Sequence, residues 1–186
     1  LDVTSEVSVS LAVTEATRIL GPIDVLVNNA GISAQSFVAD AEFDSLRDQM
    51  EVNYFGVVRM VRAVLPQMLE RGDGTVLNIG SVAGRVPYPS MATYGASKAA
   101  LHAFTQALRG EVSHRGVRVV AVIPGHSSGG AGPNAIAWVP LENLSISKTP
   151  IGPFQIIVPA VAISLENSPM ATGPMSSPSH PSATPP

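Results

Sequence analysis

The 186 residues contain no cysteine, which excludes disulfides and thiolate metal sites. Four histidines, His102, His114, His126 and His180, are too scattered to make a ligand cluster, and no metal is expected. Charge is scarce as well: 11 basic residues stand against 14 acidic ones, for a net charge of -3, and no basic block could neutralise a run of phosphates. Nucleic acid is therefore not an expected partner. Long apolar runs are missing too. The most apolar late stretch, Ile151 to Leu165, is shorter than the roughly 20 residues a membrane helix needs, and Pro153 and Pro159 interrupt it, so no transmembrane segment is expected. The opening Leu1-Asp-Val-Thr-Ser-Glu-Val7 is neither a charged leader nor an apolar signal core. The true start of the protein is expected upstream, with a cytoplasmic location as the default.

What is present suits one domain with a sizeable core, at 45% hydrophobic residues. Up to Gly125, short apolar runs alternate with longer helical patterns, the signature of parallel strands joined by crossover helices. Strands are expected at Ile23–Val27, Thr75–Ile79 and Val117–Ile123, all buried on both faces, and each ends in or follows a turn signal rich in Asn, Gly, Asp or Pro. Helices are expected over 6–19, 40–70 and 92–115. The middle one is apolar nearly all round from Val52 to Leu69, so it must bury more than one face, and Pro66 should kink its last turns. Small residues along the last, Gly95, Ala96, Ala99, Ala100 and Ala103, suit either close sheet packing or a subunit interface.

Beyond Gly125 the composition changes. Residues 126–186 hold eleven of the sixteen prolines and only three charged residues, Glu142, Lys148 and Glu166. A strand at Phe154–Val158 is the one element suggested there, and the Pro/Ser/Ala/Thr-rich stretch 170–186 is expected to be disordered.

The chemistry gathers on three residues: Ser81, Tyr94 thirteen residues on, and Lys98 four beyond that. Positions four apart share a helix face, so Tyr94 and Lys98 should project side by side. Ser81 follows a buried strand, and ligands bind at the carboxyl ends of strands in open α/β sheets. A tyrosine of ordinary pKa, about 10, is a poor base at neutral pH, but a nearby ammonium favours its phenolate. Such a trio suits proton transfer by Tyr94, with Ser81 donating to a substrate oxygen whose charge changes. The fitting reaction is hydride transfer at a carbon bearing an alcohol or carbonyl. Taken singly, each piece would more often be a solvated helix face, a helix cap or a strand-ending turn.

Over residues 1–125 the chain resembles the short-chain dehydrogenase/reductase family, through Asn28-Asn-Ala-Gly31, Val52-Asn-Tyr-Phe-Gly56, Gly80-Ser-Val-Ala-Gly84, Tyr94-Gly-Ala-Ser-Lys98 and Pro124-Gly125. The resemblance implies a doubly wound, Rossmann-like parallel sheet and a catalytic tetrad of Asn53, Ser81, Tyr94 and Lys98. Tyr94 would be the acid/base and Ser81 would polarise the substrate oxygen. Lys98 would act on both Tyr94 and the nicotinamide ribose, and Asn53 would hold a relay water. Asp2 and Val3 resemble the family's adenine-contacting pair; Asn28, Ala30 and Gly31 resemble the turn lining NAD or NADP, where glycine lets backbone approach a ligand. Tyr94, Lys98, Pro124 and Gly125 complete the implied cofactor contacts. A small or medium-sized alcohol/carbonyl substrate is implied, bordered by loops Ile32–Ala39 and Val82–Thr93, together with a homodimer or homotetramer through helices 40–70 and 92–115.

Two departures limit the carry-over. The family's Gly-rich phosphate turn, and the residue choosing NAD or NADP, would lie before Leu1 in the first two strands, which are absent. The sheet is then expected to be incomplete, with the apolar edge of the Ile23–Val27 strand bare. At the other end, His126-Ser-Ser-Gly-Gly130 replaces the threonine that usually follows Pro-Gly. A fragment or aberrant end is expected, and the alternative function is a non-catalytic remnant binding a partner through its two long helices.

Overall fold

The computed structural model describes residues 1–124 and the main chain of residues 156–157. Helix α1 (Glu6–Leu20) is capped by Ser5, whose side chain accepts from the Ser8 amide, and Gly21 ends it. Strand β1 (Val25–Asn28) leads to a long broken helix: α2 (Phe43–Met50), a π turn over Glu51–Gly56, then α3 (Val57–Arg71). Strand β2 (Gly74–Ile79) and a 3-10 turn over Val82–Gly84 precede α4 (Ala92–Val112). A second 3-10 turn over Ser113–Arg115 leads into β3 (Val117–Val122). Gly116, at φ +81°, makes that turn; a Cβ there would collide with the Gly72 carbonyl oxygen at 1.9 Å, so only glycine lets the two helix ends meet beneath β2 and β3.

The sheet is parallel, in the order β3-β2-β1-β4, where β4 is Ile156–Ile157. Parallel strands with helical crossovers are what the alternating pattern implied. The main core lies on one face: Leu26, Val76, Val117 and Val119 from the strands meet Val9 and Val13 of α1, Val57, Met60, Val64 and Met68 of α3, and Leu101, Leu108 and Val112 of α4. Val25, Val27 and Leu77 form a smaller cluster on the other face.

Three expectations are corrected. The expected 40–70 helix is not continuous: α-helical winding is interrupted at the Glu51–Gly56 π turn, whereas α3 runs on through Pro66 to Arg71. A tertiary contact marks the interruption. Val3 packs against Gly56 so closely that a Cβ there would lie 2.8 Å from its Cγ2. Strand β3 is not buried on both faces, because Arg118 and Val120 are exposed between buried Val117 and Val119, as befits the outer strand of the order. Nor is the β1 edge bare: Val25 and Leu26 pair with Ile156 and Ile157, inside the stretch where a strand was suggested. The expected disorder of 170–186 lies outside the described residues, as does the rest of 126–186 apart from 156–157. Among the described residues no helix is long and apolar enough to cross a membrane, and no three His, Cys, Asp or Glu side chains form a metal-sized group.

Candidate active site

Register places Asn28 beside Asn78 at the carboxyl ends of β1 and β2. Two amides there would be costly to bury unpaired, so they join in a ladder. Asn28 Nδ2 donates to Asn78 Oδ1 (2.8 Å), Asn78 Nδ2 donates to Thr105 Oγ1 (2.9 Å), and Thr105 Oγ1 donates to the Leu101 carbonyl (2.7 Å). The ladder ties both strands to α4. Asn28 Oδ1, buried, has no hydrogen-bond partner among the described residues.

Asn53, fully buried in the π turn, sits against the loop that follows β1. Its Oδ1 accepts from the Ile32 amide (2.8 Å), and its Nδ2 donates to the Ile32 carbonyl (2.9 Å) and to Ser97 Oγ (3.0 Å). Ser97 Oγ donates in turn to the Tyr94 carbonyl (2.8 Å). The Asn53 amide is thereby committed to protein groups that connect the loop after β1 with the helix bearing Tyr94. A Cβ on Gly31 would lie 3.2 Å from Asn53 Oδ1 and 3.5 Å from Lys98 Nζ, so Gly31, Asn53 and Lys98 meet. One turn earlier, buried Gln49 accepts from the Ala34 amide at 3.3 Å.

Lys98 is only 5% exposed. Its Nζ donates to the Ile79 carbonyl (2.9 Å) and lies 5.9 Å from the centroid of the Tyr94 ring. Burial pushes the ammonium down to about 8, leaving it largely charged at neutral pH.

Ser81 reaches this helix through two glycines. The 3-10 turn it caps, its Oγ accepting from the Ala83 amide, lies flat on the first turns of α4. A Cβ on Gly95 would be 2.9 Å from the Ala83 carbonyl, and one on Gly84 would be 2.7 Å from Lys98 C and 2.8 Å from Ala99 N. Those neighbours are main chain and cannot swing aside. Gly84→Ala is therefore expected to cost about 1–3 kcal/mol in urea denaturation. Gly110→Ala on the open face of the same helix, where a Cβ meets nothing within 4 Å, should add about 0.5–1 kcal/mol.

The two loops expected to border a substrate touch: Ser36 N donates to the Ser90 carbonyl (3.0 Å), and Ser33 Oγ lies 4.0 Å from Met91 Sδ. Asp2 stands apart and exposed, its carboxylate held below the usual range by hydrogen bonds from the Thr4 hydroxyl and amide. Val3 is buried against the π turn, which leaves its main chain as the part that could meet a ligand. Ala30 is buried beside Gly31, and Pro124, two residues past β3, is half-buried; Gly125 lies outside the described residues. Ser97 and Gln49 were not among the expected site residues, and Gly84 and Gly95 were expected only as part of a motif and of a small-residue stripe. Ser97 and Gly95 stand inside Tyr94–Lys98 and Gly84 closes Gly80–Gly84, but their use depends on which surfaces meet, and Gln49, four residues before Asn53, carries no signal of its own.

The family model described as short chain dehydrogenase matches residues 1–135. A mouse protein, dehydrogenase/reductase SDR family member 7B, is 37% identical over 129 residues, 69% of this chain and 40% of its own length. The 2-(S)-hydroxypropyl-CoM dehydrogenase 3 of Xanthobacter autotrophicus is 44% identical, over 67% of this chain and 49% of that protein. From the same organism, inactive 2-(S)-hydroxypropyl-CoM dehydrogenase 2 is 41% identical over 82% of this chain and 68% of that protein. The chain thus spans less than half the length of the mouse relative and about half that of dehydrogenase 3. Among solved structures, NAD+-bound xylitol dehydrogenase superposes with a TM-score of 0.66 at 36% identity, covering 69% of this chain and 50% of that one. The gluconate 5-dehydrogenase of Burkholderia cenocepacia J2315, in complex with NADP and tartrate, gives 0.65 at 34% identity over 67% and 49%. The sheet and its helices are therefore an incomplete Rossmann-like α/β fold, and the chain belongs to the short-chain dehydrogenase family.

Proposed function

We propose that the chain carries the reaction centre of an NAD- or NADP-dependent oxidoreductase that interconverts an alcohol and a carbonyl. The observation that carries this reading is the seating of the Ser81 turn on the first turns of α4 through Gly84 and Gly95, beside Lys98. In this reading Ser81 donates a hydrogen bond to the substrate oxygen, and Tyr94 gives or takes the proton at that same oxygen. Lys98 sets a positive charge beside the phenol ring. Asn53 holds the loop after β1 against the Tyr94 helix, and its relay water remains part of the proposal.

The residues fit a dinucleotide. Asn28 offers a buried, unmatched acceptor, Gly31 leaves room for close approach next to Lys98, and the Ile79 bond uses one of the three ammonium donors of Lys98. Asp2, Val3, Asn28, Ala30, Gly31, Tyr94, Lys98, Pro124 and Gly125 are the residues proposed to hold it. Its nicotinamide would supply or accept the hydride. Relatives named as dehydrogenases and neighbours solved with NAD+ or NADP support this choice of cofactor.

Calorimetric titration with NADH and NADPH tests the cofactor site: micromolar binding that Gly31→Val abolishes is the expected result. A second reading, a non-catalytic chain binding a partner through its long helices, is favoured by the similarity to a relative named inactive. The surface it would use, equally a homodimer or homotetramer face, includes outward-facing Ala96, Ala99 and Ala103 on α4 and a cleft of about 510 Å³ lined by Phe43, Leu46, Phe55 and Thr93. No binding of either nucleotide would leave this second reading standing.

A further inference from the structure

Both ring nitrogens of His102 are buried without a hydrogen-bond partner among the described residues, and the residue is 7% exposed. A neutral imidazole carries one donor and one acceptor, so this placement costs stability that a leucine or methionine of similar size would not. Packing alone therefore does not explain a histidine.

Its surroundings do. A Cβ on Gly80 would lie 2.3 Å from His102 Nε2 and 2.9 Å from Cδ2, so the ring occupies the space that glycine leaves beside the main chain. His102 is four residues beyond Lys98 on α4, on the same helix face. Lys98 bonds the Ile79 carbonyl, His102 abuts Gly80, and the next residue is Ser81.

We propose that His102 is a positioning residue for Ser81, its ring wedged against Gly80 so that, with Lys98, it sets the backbone from Ile79 to Ser81 and aims the Ser81 hydroxyl. The inference rests on the reading of Ser81 as donor to the substrate oxygen. It carries an acid sensitivity. Burial first, then the charges of Arg85 and Lys98, hold His102 below the ordinary histidine range. Among the described residues those two cations, one beyond the 3-10 turn and one on α4, are the charges that reach it, while the chain just past β2 presents uncharged Gly80, whose amide donates to the Val122 carbonyl at the end of β3. A group whose folded pKa is depressed in this way adds no pH dependence above its unfolded value of about 6.5, and costs stability as pH falls below it.

Amide exchange of the 186-residue chain reads the wedge without any ligand. His102→Ala is expected to lower protection about tenfold or more at Gly80 and Gly84, whose amides donate to the Val122 and Ser81 carbonyls, with Leu26 and Val76 held within about twofold. His102→Gln, neutral at every pH, should recover most of that protection at about pH 7 and escape the loss that the unsubstituted chain shows at about pH 5. With an accepted secondary alcohol, His102→Ala should lower kcat about tenfold or more and leave KM within about twofold. Protection lost evenly across the sheet, unchanged protection at Gly80 and Gly84, or an unaltered acid loss in His102→Gln would each overturn the proposal. If His102→Ala does not fold, the pH series on His102→Gln decides alone. A chain that turns over no alcohol would sink the proposed reaction, whereas the exchange result on His102 would still stand.

Discussion

Replacing Tyr94 by phenylalanine is expected to lower kcat by roughly 10²–10⁴-fold, the usual worth of a positioned acid or base. Stability and nucleotide binding should change little. Tyr94 is half-buried, its ring faces Lys98, and no hydrogen bond links its phenolic oxygen to another described residue. The hydroxyl therefore contributes little to the fold that phenylalanine would lose. Initial rates with a panel of secondary alcohols and ketones, followed by the near-ultraviolet absorbance of reduced nicotinamide, check it. Retention of most activity would end the proposed mechanism.

Lys98→Met is expected to raise stability at neutral pH while turnover collapses. Burial lowers the ammonium from 10.5 to about 8, so at neutral pH the folded chain bears a charge cost of about 3 kcal/mol. Against this stands the Ile79 carbonyl, which loses its donor, at about 1 kcal/mol. The charge term wins, and the net gain at pH 7 should be about 2 kcal/mol. The sign then changes with pH. Between about 8 and 10.5 the folded lysine sheds its proton before the unfolded one does, so the parent chain gains stability as pH rises. Near pH 10.5 the variant should be the less stable of the two, by about 1 kcal/mol, once the charge term has gone. Urea denaturation at both ends of that range measures the crossover, and a difference independent of pH would mean that the ammonium is not desolvated as described. A residue that weakens the fold in the state in which it is proposed to work is what stability traded for function looks like.

Much of the fold could be read from the residues because buried parallel strands and their crossover helices leave plain patterns. Val25–Asn28 and Gly74–Ile79 are buried on both faces and mostly apolar, and each flanking helix ends in a glycine of positive φ. The π turn at Glu51–Gly56 was not legible, since the residue that packs on it at Gly56 is Val3, some fifty residues away. The exposed face of β3 was hidden for the same reason: Val117–Val122 reads as apolar whether or not something covers both sides.

The candidate site divides likewise. Tyr94 and Lys98 share a helix face by their spacing alone, Ser81 joined them through the buried strand it follows, and the resemblance added Asn53. Helical periodicity is a local property, so the sequence by itself determined that pairing, along with the strand-helix order and the family. Tertiary structure decided the rest: that Gly84 and Gly95 let the Ser81 turn lie on α4, that the Asn53 amide bridges Ile32 to Ser97, and that His102 lies against Gly80 without a hydrogen-bond partner. Each of these depends on two surfaces distant in the chain meeting at a main-chain contact, and no spacing along a single segment encodes such a distance.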